Sequence, residues 1–296
     1  MPLVSTIIVN FNAGNGLIDC VSSILASCSQ SEIIVVDNAS EDDSIDRLTA
    51  TFNNSSQVHI LRNHANLGFS KACNIGAGKA VGRYLLFLNP DCVIDAATIP
   101  ALIGALGSHS NAGMAGAMLL NPDGSEQAGA RRTIPTPWRA FIRAFGLSRF
   151  QHRFPRFFSD FILLHEPIPE TEIEVEAISG ACMMVDKRVY KDVGSMDEGY
   201  FMHVEDLDWC MRMRNKGYKI LFVPSAKVVH RQGTCSLDRP IFVEWHKHRG
   251  MLRYYRKFFR HHYSDGLMVA VAAGVWFHFM IRVAYLVLGK GLRRGA

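Results

Sequence analysis

Three carboxylates stand close together at the start of a predicted helix: Glu205, Asp206 and Asp208. Their neighbours on both sides are largely apolar, so the carboxyl groups are expected to be partly removed from water. Crowding and desolvation both raise a carboxyl pKa, which suits a general base. Acidic residues also favour the first helical turn through capping and the helix dipole, and that simpler interpretation explains part of the cluster.

Another carboxylate, Asp91, follows the apolar run Tyr84–Leu88 in the sequence Asn89-Pro90-Asp91. A divalent cation that bridges a diphosphate needs one or two protein carboxylates and takes its other ligands from phosphate and water. Asp91 could supply one of them, although Asn-Pro-Asp is also an ordinary turn sequence. His230 closes a later apolar run. It becomes a candidate metal ligand only if the fold brings it to Asp91, since a lone histidine there is more often structural.

Amide and carboxylate side chains also mark the ends of two earlier apolar runs. Asn10 and Asn12 follow the first run, and Asp37 and Asn38 follow the second. A carboxylate at the end of a buried strand can accept hydrogen bonds from a base or ribose. Asp37 could equally cap the next helix, and the sequence leaves both interpretations open.

Two weaker patterns complete the candidate site. One is a loop and helix start whose backbone N–H groups could face an anion. The other is a run of small residues that a substrate could approach closely. Both are equally compatible with plain packing. The positions are Asn66, Gly68 and Asn74 in the first pattern and Ser179, Gly180 and Ala181 in the second.

Short β-branched runs alternate with helical patterns through the first half of the chain. Strands are expected at Thr6–Asn10, Ile33–Asp37, Val58–Leu61 and Tyr84–Leu88, with helices at Leu17–Ala26, Asp43–Phe52 and Phe69–Val81. Continuous apolar strands with helices between them predict an α/β fold with a mainly parallel central sheet flanked by helices. Because ligands bind beyond the carboxyl ends of such strands, the polar residues at those ends are expected to converge on one edge.

The alternation weakens from about residue 121 to 174, where proline, arginine and phenylalanine become frequent. This composition predicts an insertion or lid. Regular patterns then return. We expect a strand within Val175–Val185, helices at Lys187–Val193 and Glu205–Lys216, and strands at Lys219–Val223 and Ala226–Val229.

The C-terminal part has a different composition. His246–Tyr263 is rich in basic and aromatic residues, and Gly266–Gly289 is almost wholly apolar apart from His278 and Arg282. About 20 apolar residues can cross a bilayer, but basic residues at both ends set no orientation and Arg282 is costly inside lipid. We expect a helix or helical hairpin in the cytoplasmic leaflet, with the basic segment on anionic lipids. A helix buried against the domain or a partner chain is the alternative.

The amino-acid composition limits the class of protein, its partners and its cellular location. Hydrophobic residues make up 48% of the 296 residues, which is too few for a polytopic membrane protein, and the net charge of +5 gathers near the C-terminus. No nucleic-acid-binding motif accompanies that charge, so nucleic acid is not an expected partner. The seven scattered cysteines predict reduced thiols, and the N-terminus shows no targeting segment, so a cytosolic location is expected.

Taken together and in order, these motifs resemble those of inverting family 2 glycosyltransferases with the GT-A fold, in their rhamnosyltransferase-like branch. Each motif is weak alone, but seven in the right order and spacing are specific. They span about residues 4 to 236. The segments are VSTIIVNFN, EIIVVDNASEDDS, RNHANLGFSKACNIG, LLFLNPD, SGACMMV, DEGYFMHVEDLDWCMRMRNKGYKI and VVHRQGTCS.

The resemblance implies a role for each candidate residue. Asp206, beside Glu205, looks like the catalytic base, and Asp91 ends a metal-binding motif whose second ligand is His230. The ion would be Mn²⁺ or Mg²⁺. Asn89 replaces the usual first acid of that motif, which removes a charge and weakens metal binding before the donor arrives. The positions implied for the nucleotide donor are Asn10, Asn12, Asp37, Asn38, Asn66, Gly68, Asn74 and Asn89, and those implied for the donor sugar and acceptor are Ser179, Gly180 and Ala181.

The implied reaction is an in-line displacement that inverts the anomeric carbon. Its donor would be a nucleotide-diphosphate sugar, with dTDP-L-rhamnose as the leading guess, and its acceptor a lipid-linked or polysaccharide glycan at the cytoplasmic face of the inner membrane. Residues 1–240 would be catalytic and 241–296 membrane-associating, and a homo-oligomer is left open. The alternatives are a silent sugar-binding subunit of a polysaccharide assembly complex and a nucleotidyltransferase. The latter usually has a basic glycine-rich loop after the first strand, which residues 10–14 lack.

Overall fold

The computed structural model describes residues 2–231 and 239–294, with side chains of the last helix described as far as Leu288. The chain divides into two compact units. The sheet unit comprises Met1–Thr133, Ile162–Gly199 and Glu205–Cys235, and the helical unit comprises Ile134–Phe161, Tyr200–Val204 and Ser236–Ala296. The predicted division at residue 240 concerns function and stays a prediction. The compact units do not follow it, since residues 134–161 and 200–204 group with the C-terminal helices.

The elements follow in chain order. The strands are β1 (Val4–Asn10), β2 (Ser31–Asp37), β3 (Val58–Arg62), β4 (Tyr84–Leu88), β5 (Cys92–Ile94), β6 (Ala112–Leu120), β7 (Arg131–Arg132), β8 (Ile173–Val175), β9 (Ala177–Ile178), β10 (Cys182–Asp186) and β11 (Lys219–His230). The helices are α1 (Gly16–Ser27), α2 (Ser44–Phe52), α3 (Phe69–Lys79), α4 (Thr98–Ser108), α5 (Pro137–Ala144), α6 (Pro155–Phe158), α7 (Lys187–Val193), α8 (Glu205–Asn215), α9 (Pro240–Phe258) and α10 (Asp265–Arg294), with a 3-10 turn at Leu147–Phe150.

The central sheet has the order β3-β2-β1-β4-β10-β6-β11-β5, and β8 also pairs with β11. Strands β1 to β4 are parallel, as predicted. The rest of the sheet is more mixed than expected, because β10 runs antiparallel to β4 and β6, and both β5 and β8 run antiparallel to β11. The sequence carries no signal of this change, since a strand buried on both faces has the same pattern in either direction.

Helix α3 is held in place by close packing on the central sheet. Every residue of β1 is buried, and a Cβ added at Gly76 of α3 would lie 2.6 Å from the Ile7 Cγ2 atom of β1. Helix α3 therefore lies directly on β1. At its N-terminus the Gly68 carbonyl oxygen accepts a hydrogen bond of 3.2 Å from Asn38 Nδ2, which holds the start of α3 at the end of β2.

Several boundaries differ from the predicted ones. The predicted helix Phe69–Val81 ends at Lys79, and the two predicted strands between 219 and 229 are one strand, β11. The pairing register of β11 with β6 shifts between Val223 and Lys227, which explains why its pattern is interrupted there. Strand β6 and helix α4 were not predicted.

In the helical unit, the apolar run that was predicted to form a helix or a helical hairpin is one helix, α10, and it packs against α9. Arg282, which is costly in an apolar run, lies 3.2 Å from the buried carboxylate of Glu244 on α9. His248 and His278 form a second link, with 2.9 Å between Nε2 and Nδ1. The stretch Asp265–Leu288 is long and apolar enough to cross a membrane, with a mean hydropathy of 1.8.

Candidate active site

The carboxyl ends of three parallel strands are neighbours at one edge of the sheet. Strand β1 lies between β2 and β4, with Asn10 directly opposite Asp37 and Ile8 opposite Leu88. Asp91 follows shortly after Leu88 in the chain. The structure therefore confirms that these three strand ends lie together at one edge of the sheet.

Asp37 lies in a hydrogen-bonded cluster at this edge. Its Oδ1 atom accepts from Asn10 Nδ2 at 2.9 Å and from the Ser40 hydroxyl at 2.6 Å. Helix α2 begins later, at Ser44, and its N-cap position is Asp43, so the capping interpretation of Asp37 is wrong. Asp37 is 6% exposed and oriented by its neighbours, which is the arrangement that a ribose- or base-binding carboxylate requires.

Amide side chains stabilise the loops that follow β1 and β2 and the loop that precedes α3. Asn12 has a φ of 55°, and its Oδ1 atom accepts from the Glu41 backbone N–H at 2.8 Å, so it joins the loops that follow β1 and β2. Asn66 Oδ1 accepts from the Gly68 N–H at 3.0 Å, and Gly68 has a φ of 85°. These residues shape the edge through the backbone, and glycine suits the positive φ at the start of α3.

Asn74 has a different placement from the other predicted donor residues. Its amide bonds the Met196 backbone in both directions, at 2.9 and 3.0 Å, and donates to Glu198 Oε1 at 3.1 Å. The side chain is thereby engaged in holding the loop that follows α7. Its predicted role in donor binding stays a prediction.

Asp91 and His230 meet beyond the strand ends. Strand β11 pairs with β5 so that His230 lies opposite Cys92, and this register places His230 Nε2 3.2 Å from Asp91 Oδ1. Both side chains are buried. With Cys92 they form the group of potential metal ligands found among the described residues. The fold therefore brings His230 to Asp91, which was the condition for treating His230 as a candidate metal ligand.

Gln127 selects the tautomer of the His230 ring, and the sequence did not identify Gln127 as part of the site. Gln127 Nε2 donates to the His230 carbonyl oxygen at 3.1 Å, so the amide is oriented and its Oε1 atom faces His230 Nδ1 at 2.6 Å. Since Oε1 can only accept, Nδ1 carries the proton, and in a neutral ring Nε2 presents a lone pair towards Asp91. The Nε2 lone pair and the Asp91 carboxylate both donate electrons, so their position side by side favours a cation bound by both.

This pair fits a hard or borderline divalent cation. One carboxylate oxygen and one imidazole nitrogen suit Mn²⁺ or Mg²⁺, with the remaining ligands supplied by diphosphate and water. Cys92 is a poor third ligand, because burial and the charge of Asp91 raise the pKa of its thiol well above the usual value. Asn89 Nδ2 lies 3.4 Å from His230 Nε2.

The segment Ser179-Gly180-Ala181 connects this metal-type pair to the candidate base. The Ala181 carbonyl oxygen accepts from the Asn89 backbone N–H at 2.9 Å, and the Gly180 N–H donates to Asp206 Oδ2 at 3.0 Å. A Cβ added at Gly180 would lie 3.3 Å from the Asp206 Cβ atom. The small residues therefore allow a close approach of backbone to Asp206, and the two candidate groups flank one short segment.

Asp206 is held as a carboxylate by a partner that the sequence did not reveal. Arg132 Nη2 lies 2.5 Å from Asp206 Oδ2, and the Leu207 N–H donates to Oδ1 at 2.8 Å. Burial acts to raise the pKa of Asp206, but the Arg132 guanidinium and these hydrogen bonds outweigh it and hold the pKa below its usual value. The expectation that burial would raise this pKa is wrong for Asp206.

The same expectation is correct for Glu205. Burial, reinforced by the negative charge of Asp206, raises the pKa of Glu205 to about 8. Its Oε2 atom is buried without a hydrogen-bond partner among residues 2–231 and 239–294. The third acid of the cluster, Asp208, is paired with Arg212 at 2.8 Å and has a structural role. At neutral pH the pair is therefore one ionised and one mostly neutral carboxyl group.

The raised pKa of Glu205 predicts a pH-dependent stability. Between its ordinary value of 4.5 and about 8 the folded chain keeps a proton that the unfolded chain releases, so the free energy of unfolding falls as pH rises. Glu205→Gln lacks this contribution, and we expect its stability to fall less across that range, by a few kcal/mol at about 1.4 kcal/mol per pKa unit. Urea unfolding at a series of pH values measures the difference. Equal slopes for the two proteins would show that Glu205 ionises normally.

Comparison with known proteins gives the class to which this fold belongs. The family model for glycosyl transferase family 2 matches residues 5–194, and the chain belongs to that family. An N-acetylglucosaminyl-diphospho-decaprenol L-rhamnosyltransferase of Mycobacterium tuberculosis is 30% identical over 244 residues, which cover 78% of this chain and 76% of that protein. A dTDP-rhamnosyl transferase, RfbF, of Shigella flexneri is 27% identical over 232 residues, covering 76% and 67%. The chain is therefore rhamnosyltransferase-like.

Solved structures confirm the GT-A fold. The mannosyltransferase PcManGT of Pyrobaculum calidifontis, in complex with GDP-Man and Mn²⁺, superposes with a TM-score of 0.59 at 13% identity, covering 98% of this chain and 80% of that one. TarS 1-349 of S. aureus in complex with UDP-GlcNAc superposes with a TM-score of 0.57 at 15% identity, covering 94% and 72%. At these identities the likeness concerns the fold.

Proposed function

We propose that this enzyme transfers a sugar from a nucleotide-diphosphate donor to a lipid-linked acceptor, with inversion at the anomeric carbon. The observation that carries the proposal is the segment Gly180-Ala181, which bonds Asp206 on one side and Asn89, beside the Asp91–His230 pair, on the other. A group that stabilises a leaving diphosphate and a group that accepts the acceptor proton are both needed for a single displacement.

Asp91 and His230 would hold the divalent cation, and Gln127 would orient the histidine. When bound, the cation would neutralise the charge that develops on the departing diphosphate. The support is the donor set itself, together with Mn²⁺ in the related mannosyltransferase structure. Asn10 and Asp37 would bind the nucleoside at the neighbouring strand ends.

Asp206 would accept the proton of the acceptor hydroxyl. Its low pKa keeps it ionised at neutral pH, so it is ready to accept a proton as the hydroxyl becomes acidic during attack. Arg132 and the Gly180 N–H bind its Oδ2 atom, and the Leu207 N–H binds Oδ1, which keeps a second lone pair that can take the acceptor proton. Glu205, which is mostly protonated, limits the negative charge beside the base.

Two relatives suggest the substrates. The Mycobacterium tuberculosis relative is an L-rhamnosyltransferase that acts on a diphospho-decaprenol, and the Shigella flexneri relative is a dTDP-rhamnosyl transferase. We propose dTDP-L-rhamnose as donor and a glycan on a lipid diphosphate as acceptor. Such an acceptor lies in a membrane, so the apolar helix α10 and the basic helix α9 would hold the enzyme at the cytoplasmic face.

Release of nucleoside diphosphate from a panel of nucleotide sugars tests the proposal. We expect release that depends on Mn²⁺ or Mg²⁺, is abolished by EDTA, and is strongest for dTDP-L-rhamnose with membrane lipid extract present. Release from another donor would correct the sugar and keep the class. Absence of both release and donor binding by calorimetry would favour the silent sugar-binding subunit. With pyrophosphate added, formation of nucleoside triphosphate and sugar 1-phosphate from a nucleotide sugar would indicate a nucleotidyltransferase.

Removing the residues after Ser264 tests the membrane location. The deleted helix carries large exposed apolar side chains such as Val269 and Met280, which are 69% and 67% exposed. We expect the shortened chain to move from the membrane pellet to the soluble fraction, because it lacks the apolar surface that α10 would bury in the bilayer. Donor binding by calorimetry is the control for folding of the sheet unit. A shortened chain that binds donor and still sediments with membranes would place the anchor elsewhere.

A further inference from the structure

Within the predicted insertion at residues 121–174, the part that contains α5 and α6 has an unusual composition that catalysis does not explain. The stretch from Thr136 to Ser159 contains five arginines, seven aromatic residues and no acidic residue. It forms α5, the 3-10 turn and α6 within the helical unit. A charge of one sign mixed with large aromatic side chains is typical of a surface that meets an anionic lipid layer.

The aromatic side chains of α5 point outward. Trp138, Phe141 and Phe145 follow one another at helical spacing, are 52%, 44% and 39% exposed, and form a ladder with ring centroids 5.6 and 4.7 Å apart. On the other side of the helix, Ile142 is fully buried. The helix thus has its packing contact already and presents a second apolar stripe to the outside. Such exposed stripes mark interaction sites.

Arginines accompany the aromatic rings in the rest of the insertion. The Arg149 guanidinium lies 4.8 Å from the centre of the Phe150 ring, and Arg153 lies 5.8 Å from that of Phe154. Phe157, which is 64% exposed, adds a further ring. Each pair places an apolar ring beside a positive charge, as an interface between hydrocarbon and phosphate requires.

The insertion surface is continuous with the apolar helix α10. Phe145 and His278 have ring centroids 6.4 Å apart. Ala144 and Phe145 line, together with Ile281 and Tyr285, an open cavity of about 310 Å³. The same unit therefore joins the two apolar surfaces edge to edge.

We propose that the exposed aromatic and arginine side chains of residues 137–158 form a second lipid-binding surface, which docks on anionic phospholipid beside α10. The proposal rests on the membrane location given above for α10, and it adds a contact that the C-terminal helices do not supply. Charge complementarity selects anionic lipid as the occupant, since residues 137–158 carry five arginines and no acidic residue. The aromatic stripe would lie at the level of the headgroups.

Vesicle binding by the full-length chain tests this surface. The probe is a pair of vesicle types, one of phosphatidylcholine alone and one of equimolar phosphatidylcholine and phosphatidylglycerol. Arg149→Gln with Arg153→Gln should lower the partition coefficient on the anionic vesicles by about 25-fold, at about fivefold for each charge, with a much smaller effect on the neutral vesicles. The matched control is Arg62→Gln with Arg188→Gln, exposed arginines of the sheet unit that are 62% and 81% accessible, and it should change binding far less.

A second measurement reports on the aromatic stripe. Bromine on the lipid acyl chains quenches tryptophan fluorescence on contact, and Trp138→Phe should remove part of the quenching that the wild-type chain shows. Trp138→Ser with Phe141→Ser should weaken binding to both vesicle types, whereas Val81→Ser with Ile168→Ser, which alters exposed apolar residues of the sheet unit, should not.

The outcomes separate this inference from the proposed function. Wild-type binding by all insertion variants, with binding lost on Phe277→Ser with Met280→Ser in α10, would overturn the second surface and keep the membrane location. Wild-type binding by every variant would overturn both membrane contacts without bearing on sugar transfer. Insertion variants that bind vesicles normally but no longer self-associate in sedimentation would show that another copy of the chain covers the surface, which also overturns the inference.

Discussion

Asp206→Asn should abolish sugar transfer while leaving donor binding intact. An amide cannot accept the acceptor proton, and loss of a general base costs about 10²- to 10⁴-fold in rate. The cluster around Asp37, which we propose binds the nucleoside, lies at the ends of β1 and β2 and does not include Asp206, so donor affinity should stay within a few-fold. Rates of transfer with radiolabelled donor and calorimetric donor binding measure the two quantities.

A variant of the neighbouring acid, Glu205, tests which of the two carboxyl groups is the base. Because the pKa of Glu205 is raised to about 8, this group already holds a proton at neutral pH, and Glu205→Gln should lose less than about tenfold. The opposite pattern, with Asp206→Asn active and Glu205→Gln inactive, would reassign the base. Asp206→Asn also leaves the buried Arg132 charge without its partner, a change that can cost 3–5 kcal/mol, so thermal unfolding must show that the variant is folded.

The sequence predicted the part of the fold that local patterns determine. Strands β1 to β4 and the helices between them follow from continuous apolar runs and helical spacing, and the polar strand ends converge as expected. Strand β6 escaped detection because it contains many glycine and alanine residues, which are poor strand formers. The structure explains this composition, since a Cβ at Gly116 would lie 2.5 Å from Ile178.

The candidate site was predicted as a set of acids and amides, and its supporting residues were missed. Arg132 and Gln127 lie in a stretch without regular patterning, and each reaches its partner only through tertiary pairing, between β7 and β9 for Arg132 and beside the end of β11 for Gln127. The sequence could therefore show that two carboxylates are buried side by side. It could not show that a guanidinium lowers the pKa of one of them.

Asp91→Asn should remove metal dependence together with most of the transfer activity. The substitution keeps the shape of the side chain but removes the only protein charge assigned to the cation, and loss of one group that stabilises a transition-state charge costs about 10²- to 10³-fold. The measurements are the transfer rate as a function of Mn²⁺ and the affinity for Mn²⁺ in the presence of dTDP. Activity that still rises with Mn²⁺ as in the wild type would exclude Asp91 as a ligand.

Gln127→Leu provides the graded counterpart of that test, because it alters the ligand without removing it. The variant loses the hydrogen bond that keeps the proton on His230 Nδ1, so Nε2 is no longer held as a lone-pair donor towards Asp91. We expect Mn²⁺ affinity to fall about 10- to 100-fold and activity to recover at high Mn²⁺. Asp91→Asn should not recover in this way. Equal recovery by both variants would mean that the cation binds elsewhere, while failure of Gln127→Leu to recover would assign Gln127 a role in holding the fold.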